Sequence, residues 1–403
     1  MNTENRTTYL DSNKPSACCG CGACVSVCPC NAISMVEGKD KALYPQIDNL
    51  KCINCGKCRN VCGFKKKIPK YSYENKKAYV AIINDKKERS KSASGGAFIG
   101  VVNALKKKHK NLYVAGATWQ KSISVKHELL PVDEVDIFRK SKYVQSDTHE
   151  VFAITKEKLD NDEAVLFSGT PCQIAELKHY LEKEYEKLYT VDLVCHGVPG
   201  NSIFHKYINS IEKKHNKKVI NVVFRHKKKD IYGETHSDLV KVTLEDGQVL
   251  LGNNKTNSYL RGFRTGLFYR ESCYSCPYAN PDRLSDITIG DYWNIQKKYT
   301  EYVDYTGVSC LLINSERGKE IFDNMEGLET KETTVEYLLN NNSQLVRSSE
   351  VHTNRNKFFE DYNSKEFEKL IVECIGKPEK MKNILSKLIP GKLKRKVKLL
   401  IKR

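Results

Sequence analysis

Cys18-Cys19-Gly20-Cys21-Gly22-Ala23-Cys24-Val25-Ser26-Val27-Cys28-Pro29 and Cys52-Ile53-Asn54-Cys55-Gly56-Lys57-Cys58-Arg59-Asn60-Val61-Cys62-Gly63 are two copies of one pattern. Each has three cysteines at steps of three and a fourth after a longer step. Three thiolates so spaced on a short loop can each reach a different iron of one cubane. The fourth falls on a following turn aimed the other way, where it ligates the other cluster. The spacing therefore assigns Cys18, Cys21, Cys24 and Cys62 to one [4Fe–4S] cluster, and Cys52, Cys55, Cys58 and Cys28 to a second. Structural zinc takes two separated Cys-x-x-Cys pairs and has no use for this arrangement twice. The small residues Gly20, Gly22, Ala23 and Gly56 let backbone N–H groups approach the sulfurs. The second copy lacks the trailing proline. Cys19 and Cys30 are surplus and receive no role.

Working outward, residues 18–66 are too short to bury an ordinary core, so metal must supply their order as a ferredoxin-like domain. Residues 1–17 are a polar lead-in, and 67–77, with several lysines and Pro69, read as a linker. From Ala78 the pattern is that of an α/β chain. Strands are expected at Tyr79–Ile83, Leu112–Ala117, Ile123–Leu129, Ala164–Phe167, Tyr189–Val194, Val219–Phe224, Leu239–Leu244 and Ile287–Ile289. Helices are expected at Gly95–His109, Pro171–Glu186, 316–326 and 364–376. Strand, helix and strand joined by short turns point to a parallel unit. The fold class is thus α/β with α+β elements: a small two-cluster domain ahead of a larger mixed domain. Boundaries fall at 78–160, 161–330, a helical extension 331–376 and a basic tail 377–403.

The 403 residues, 40% of them hydrophobic and 29% charged, exclude a disordered chain. No run of 18 apolar residues occurs, so a spanning helix is not expected. The polar start, Met1-Asn2-Thr3-Glu4-Asn5-Arg6, lacks a basic-then-apolar leader, and a cytoplasmic location is expected. Sixteen cysteines without an export signal point to metal rather than disulfides. Of the formal +18 charge, +10 lies between Lys377 and Arg403.

A second cysteine set lies downstream: Cys172 in Ser168-Gly169-Thr170-Pro171-Cys172, Cys195 in Leu193-Val194-Cys195-His196-Gly197, and Cys273-Tyr274-Ser275-Cys276-Pro277. Cys172 and Cys195 follow the carboxyl ends of consecutive expected strands, the edge where α/β folds place ligands. With the Cys-x-x-Cys pair they suit a third [4Fe–4S] cluster. A zinc site, a redox disulfide, or two buried thiols beside a fortuitous pair remain alternatives. Cys310 and Cys374 sit in apolar surroundings and read as packing residues.

Taken in order, these motifs resemble the coenzyme F-420 hydrogenase/dehydrogenase beta-subunit family. The resemblance runs from the cysteine pair through Ser94-Gly95-Gly96, Ser141-Lys142-Tyr143-Val144-Gln145-Ser146, Ser168-Gly169-Thr170-Pro171-Cys172 and Val191-Asp192-Leu193-Val194-Cys195-His196-Gly197. It continues through Cys273-Tyr274-Ser275-Cys276-Pro277 to Ser285-Asp286-Ile287-Thr288-Ile289-Gly290-Asp291. It implies an iron–sulfur flavoprotein oxidoreductase with FAD and a third cluster on Cys172, Cys195, Cys273 and Cys276. Coenzyme F-420 itself is one candidate carrier and a ferredoxin one redox partner. The resemblance also extends to bacterial chains found beside cell-surface polysaccharide genes. Two rival readings are an electron-transfer subunit without its own substrate site and a cluster-containing scaffold.

In this frame Ser94-Gly95-Gly96 opens a helix whose N-terminus attracts an anion, here the FAD pyrophosphate, with Ser92 and Ser94 as added hydroxyl donors. A Cβ at Gly95 or Gly96 is expected to block that approach. Lys142, Tyr143, Gln145, Ser168 and Thr170 are the further cofactor-binding candidates that the resemblance implies. His196, beside Cys195, is the catalytic candidate, a proton relay at the flavin edge, with a structural histidine hydrogen-bonded in the strand-end turn as the favoured alternative. Asp286 is expected to be structural, and Asp291 is unassigned. The run Arg225-His226-Lys227-Lys228-Lys229 reads as an anion site or a solvated loop. No G-x-G-x-x-G follows a strand, so a Rossmann-type NAD site is not expected. The tail alternates basic residues with Ile384, Leu385, Leu388, Leu393, Val397 and Leu400, a pattern suited to an anionic membrane surface at the inner face, with a solvated tail or a helix packed on the protein's own core as alternatives. It has no aromatic residue for stacking on bases, so nucleic acid ranks last.

Overall fold

The structure is a computed structural model that describes residues 7–64, 76–229, 235–303 and 306–378. Most of the expected linker and nearly all of the basic tail lie outside the described residues. Fourteen strands are described: β1 (Ile33–Glu37), β2 (Leu43–Ile47), β3 (Lys77–Ile83), β4 (Leu112–Trp119), β5 (Val125–Pro131), β6 (Ser146–Asp147), β7 (Ala164–Gly169), β8 (Leu188–Leu193), β9 (Val219–Lys229), β10 (Thr235–Leu244), β11 (Val249–Gly252), β12 (Ile287–Asp291), β13 (Ser309–Ile313) and β14 (Leu328–Thr333).

Nine strands form one mixed sheet in the order β14-β3-β13-β12-β8-β7-β4-β5-β6. Its centre, β4, β7, β8 and β12, is parallel, and antiparallel strands close both sides. The β7–helix–β8 unit is the expected one. Ala164-Val165-Leu166-Phe167 is an unbroken buried run, as a strand covered on both faces must be. The helix Pro171–Leu181 starts on Thr170 and Gln173, whose side chains cap each other's backbone, with Pro171 at its first turn. Strands from before and after residue 160 interleave in this sheet, so the boundary expected there does not fall between separate sheets.

Alternation along the strands divides the packing. Leu166 faces the core made with the helix Ala97–Lys108, while Val165 and Phe167 face the helices Val151–Asp160 and Pro171–Leu181. A separate core lies under the three-stranded sheet β11-β10-β9, filled by the helices Asn201–His215, Ser258–Arg264 and Phe367–Ile375. Its helix Asn201–His215 and the antiparallel strand β13 were not anticipated. The run from Arg225 to Lys229 is part of β9, not a solvated loop.

The two-cluster domain is a β1–β2 hairpin with two short helices, Ala23–Ser26 and Lys57–Asn60, each entered through a glycine at φ 74°. It is fastened to the large domain through the first cysteine loop. Arg270 donates to the carbonyls of Cys19 (2.6 Å) and Leu43 (3.0 Å), and Thr148 donates to the Cys21 carbonyl (2.5 Å). Ala23, Val61 and Phe64 join the core beneath Pro171–Leu181.

Candidate redox site

The fold brings several of the thiols in each expected set near one another. Burial pushes Cys24 up, and the adjacent thiols of Cys21, Cys18 and Cys62 push it further. That is the set assigned to the first cluster. Cys58 feels Cys52 in the same way, and Cys28 lies 3.8 Å from Cys30. Cys273 is raised by burial and by Cys195, Cys276 and Cys172, so the four downstream thiols form one group. All sixteen cysteines are free thiols, which leaves no disulfide in that group. Among the described residues no three His, Cys, Asp or Glu side chains converge on a single-ion position. Burial first, and then the neighbouring thiols, lift Cys195 and Cys276 to about 12. Thiols such as Cys195 and Cys276 become thiolates only beside a strongly cationic group, and an iron–sulfur core is of that kind. The donor set fits the cluster.

Surplus Cys19 has a place after all. Its thiol lies close to those of Cys172 and Cys21, and so near both the first cluster's expected ligands and the third set. Its bond brings Cys172 down to about 7. Beside it Glu176 is fully buried and pushed up to about 7 by that burial. It accepts from the Gly63 N–H (2.9 Å) and the Tyr278 hydroxyl (3.1 Å). Arg283, paired with buried Asp192 at 3.2 Å, donates to the carbonyls of Tyr278 and Leu193. It thereby ties the turn after Cys276 to the strand end before Cys195. These partners lie far apart in sequence, and only Cys19 carried any signal there.

A cavity of about 390 Å³ opens against this group. Its wall brings together Cys172, Cys195, Cys273 and Cys276 with every residue expected to bind the cofactor except Gly95, and with His196. The helix Ala97–Lys108 points its N-terminus here, without a side-chain cap on Gly96. Two expectations are corrected at this helix start. The hydroxyls of Ser92 and Ser94 are spent on the carbonyls of Glu88 (3.0 Å) and Val308 (2.9 Å), so they do not donate into the cavity. A Cβ at Gly95 would meet the Ala81 carbonyl oxygen at 2.2 Å, and one at Gly96, where φ is 98°, would meet Ile83 at 2.5 Å. These glycines seat the loop on the sheet. They do not clear a path for a phosphate.

The loop is held by two residues of the charge run on β9, one of which, Arg225, also lines the cavity. Arg225 donates to the Ala93 carbonyl and pairs with Asp291 at 2.7 Å. Lys227 donates to the carbonyls of Arg89 (2.7 Å) and Ser94 (2.9 Å). Lys142 likewise spends its ammonium on the carbonyls of Ile137 and Arg139, both 3.0 Å away, and burial brings it down to about 7. Gln145 is buried, and its Oε1 has no hydrogen-bond partner. The Thr170 hydroxyl lies 3.1 Å from the Cys172 sulfur, and the Ser168 carbonyl accepts from His127. Tyr143 packs on Phe224 and Phe263. His196 is held low by burial and by the charge of Arg264, which favours a neutral imidazole. Asp286 is structural as expected: it accepts from Thr190 and Ser315 and knits β8 to the turn beyond β13.

Residues 162–336 match the family model for the C terminus of the coenzyme F420 hydrogenase/dehydrogenase beta subunit, and residues 17–66 match the 4Fe-4S dicluster domain. Over 240 residues the chain is 24% identical to the F subunit of the F(420)H(2) dehydrogenase of Methanosarcina mazei, covering 56% of this chain and 67% of that one. Over 73 residues it is 44% identical to the iron-sulfur A subunit of the CoB--CoM heterodisulfide reductase of Methanocaldococcus jannaschii, or 15% of this chain and 11% of that one. A chain of the F420-reducing [NiFe] hydrogenase complex from Methanosarcina barkeri aligns with a TM-score of 0.43 at 17% identity, covering 72% of this chain and 93% of that one. Among the described residues no helix is long and apolar enough to cross a membrane.

Proposed function

We propose that this chain, which joins a 4Fe-4S dicluster domain to the C-terminal domain of the coenzyme F420 hydrogenase/dehydrogenase beta subunits, is an FAD-dependent iron–sulfur oxidoreductase. One observation carries the reading. A single cavity is walled both by the uncapped helix start at Gly96 and by the third thiol group, and Cys19 links that group to the first cluster's ligands. When bound, FAD exchanges an electron pair with a small substrate and passes single electrons to the clusters.

The chain's own residues have definite tasks in this scheme. The N–H groups at the start of Ala97–Lys108 would hold the pyrophosphate, and Arg225 and Lys227 keep their loop in place. Lys142 braces the segment that carries Tyr143 and Gln145, residues that would line the flavin site. Neutral His196, next to Cys195, moves a proton at the substrate. The substrate is a small hydride carrier, coenzyme F-420 being one candidate, and the far partner is a ferredoxin or a similar redox protein. The cavity weighs against an electron-transfer subunit with no substrate site. The test is anaerobic purification with iron, sulfide and flavin counted per chain. About twelve irons and one FAD are expected for three cubanes. Clusters without stoichiometric flavin would sink the reading.

A further inference from the structure

We propose that Arg270 is a counter-charge shared by the first cluster and the third thiol group, and that it favours reduction at both. The proposal rests on reading the chain as an iron–sulfur relay.

Three arginines stand beside the expected cluster ligands, and two of them have an acid at hand. Arg59, whose charge acts on Cys58, pairs with Asp11 at 2.6 Å. Arg283, whose charge acts on Cys195 and Cys276, pairs with Asp192 at 3.2 Å. Arg270 is different. It is 2% exposed, and among the described residues no carboxylate pairs with it. Its guanidinium is spent on the carbonyls of Cys19 and Leu43, and its Nε has no partner. Glu271, the next residue, and Asp40 both face Arg355 instead, at 3.1 and 3.8 Å. Glu176, bonded to Gly63 and Tyr278, is pushed toward its neutral form by burial.

Arg270 reaches both sets of thiols. Its guanidinium lies against Gly20, whose N–H meets the Cys18 sulfur at 3.3 Å. Its own carbonyl accepts the Cys273 N–H at 3.1 Å. Burial raises the Cys18 and Cys273 thiols, and the Arg270 charge opposes it at each. At Cys172 the same charge adds to the bond from Cys19. Glycine at position 20 allows this approach, since a Cβ there would lie 2.0 Å from the Arg270 Nη1. The matching place in the second motif holds Asn54, and the charge beside that motif is the paired Arg59. A buried cation without an acid needs some other anion. A cubane on four thiolates is an anion, and an added electron makes it more so. Its potential follows the net charge around it. Arg270 therefore offsets the added electron at both sites, while Arg59 and Arg283, each beside its acid, offset little.

The experiment is an anaerobic reductive titration of the full chain, with iron counted, followed by electron paramagnetic resonance. Each cluster's signal is assigned by its loss when Cys24, Cys55 or Cys273 is replaced by Ser. Arg270→Gln should lower the reduced-to-oxidised ratio of the first and third clusters about tenfold at a fixed potential, which is about 59 mV for a one-electron couple. The second cluster should not move. Arg270→Lys keeps the charge and should hold both ratios within about twofold of the unaltered chain. If Arg270→Gln loses iron, Gln145→Glu decides. The Gln145 amide meets the guanidinium beside Gly20, 2.6 Å from where a Cβ would stand. A carboxylate in its place gives Arg270 an acid and should produce the same fall. Unchanged potentials, a fall at only one of the two clusters, or an equal fall at all three would overturn the proposal. So would a fall in Arg270→Lys as large as in Arg270→Gln, the mark of a purely structural role. Three clusters without FAD would instead sink the oxidoreductase reading, and the comparison of cluster potentials would still decide the role of Arg270.

Discussion

The first and second cysteine loops have the same sequence pattern and the same backbone, yet one is interior and the other is surface. Gly22 and Gly56 share φ 74°, but only Gly22 has His149 above it. Cys19 and Ile53 share a position, but only Cys19 meets another thiol. A repeat of this kind doubles the chemistry without doubling the surroundings. Which cluster faces inward is set by what the rest of the chain packs against.

The strongest challenge to this inward-to-outward ordering is at its inner end. Replacing both Cys273 and Cys276 with Ser should remove one cubane, about four irons of twelve, while the paired motifs keep theirs. An iron count near eight in the unaltered chain, the same in the variant, would delete the third group. A cleaner comparison uses the matched glycines. Both Gly22→Ala and Gly56→Ala incur the left-handed penalty of about 1–2 kcal/mol. Gly22→Ala adds a clash of about 1–3 kcal/mol with His149, whose Cβ lies 2.7 Å from the new atom. Chemical denaturation of the loaded proteins should therefore rank Gly22→Ala well below Gly56→Ala. Equal losses would mean that the first loop is not packed as described.

Arg225→Met removes the ties to Ala93 and Asp291. It should lower FAD retention about tenfold, roughly 1.4 kcal/mol, with the iron count unchanged. Flavin fluorescence after gel filtration reads it out. The smallest effect belongs to the bare face. Ile53→Ser, at a position 65% exposed, should leave stability within about 0.5 kcal/mol of the parent. Cys19→Ser should cost measurably more, because its thiol lies beside Cys172 and Cys21.

Much of the site was legible because its chemistry is carried by short, spaced motifs. Local order pointed to twelve candidate thiols, a helix opening at Ser94-Gly95-Gly96 and the β7–helix–β8 unit. What escaped was fixed by distance in sequence. Arg225 looked like part of a charge run until β9 laid it across Ala93. Gly95 looked like a phosphate contact until the sheet showed Ala81 and Ser309 against it. Arg270 binds Cys19 across 251 residues, and no local pattern encodes such a bond.

The sequence by itself determined which residues can ligate clusters, because thiolate spacing on a short loop dictates which irons each can reach. It also determined the α/β class, since buried strands and amphipathic helices have different periods. Only the tertiary structure decided that Cys19 is a junction and Ile53 a surface residue, that the glycines of the helix start serve the sheet, and that the third thiol group shares a wall with the cavity. Those outcomes depend on which distant segments pack together, and packing is a property of the whole chain's burial rather than of any one stretch.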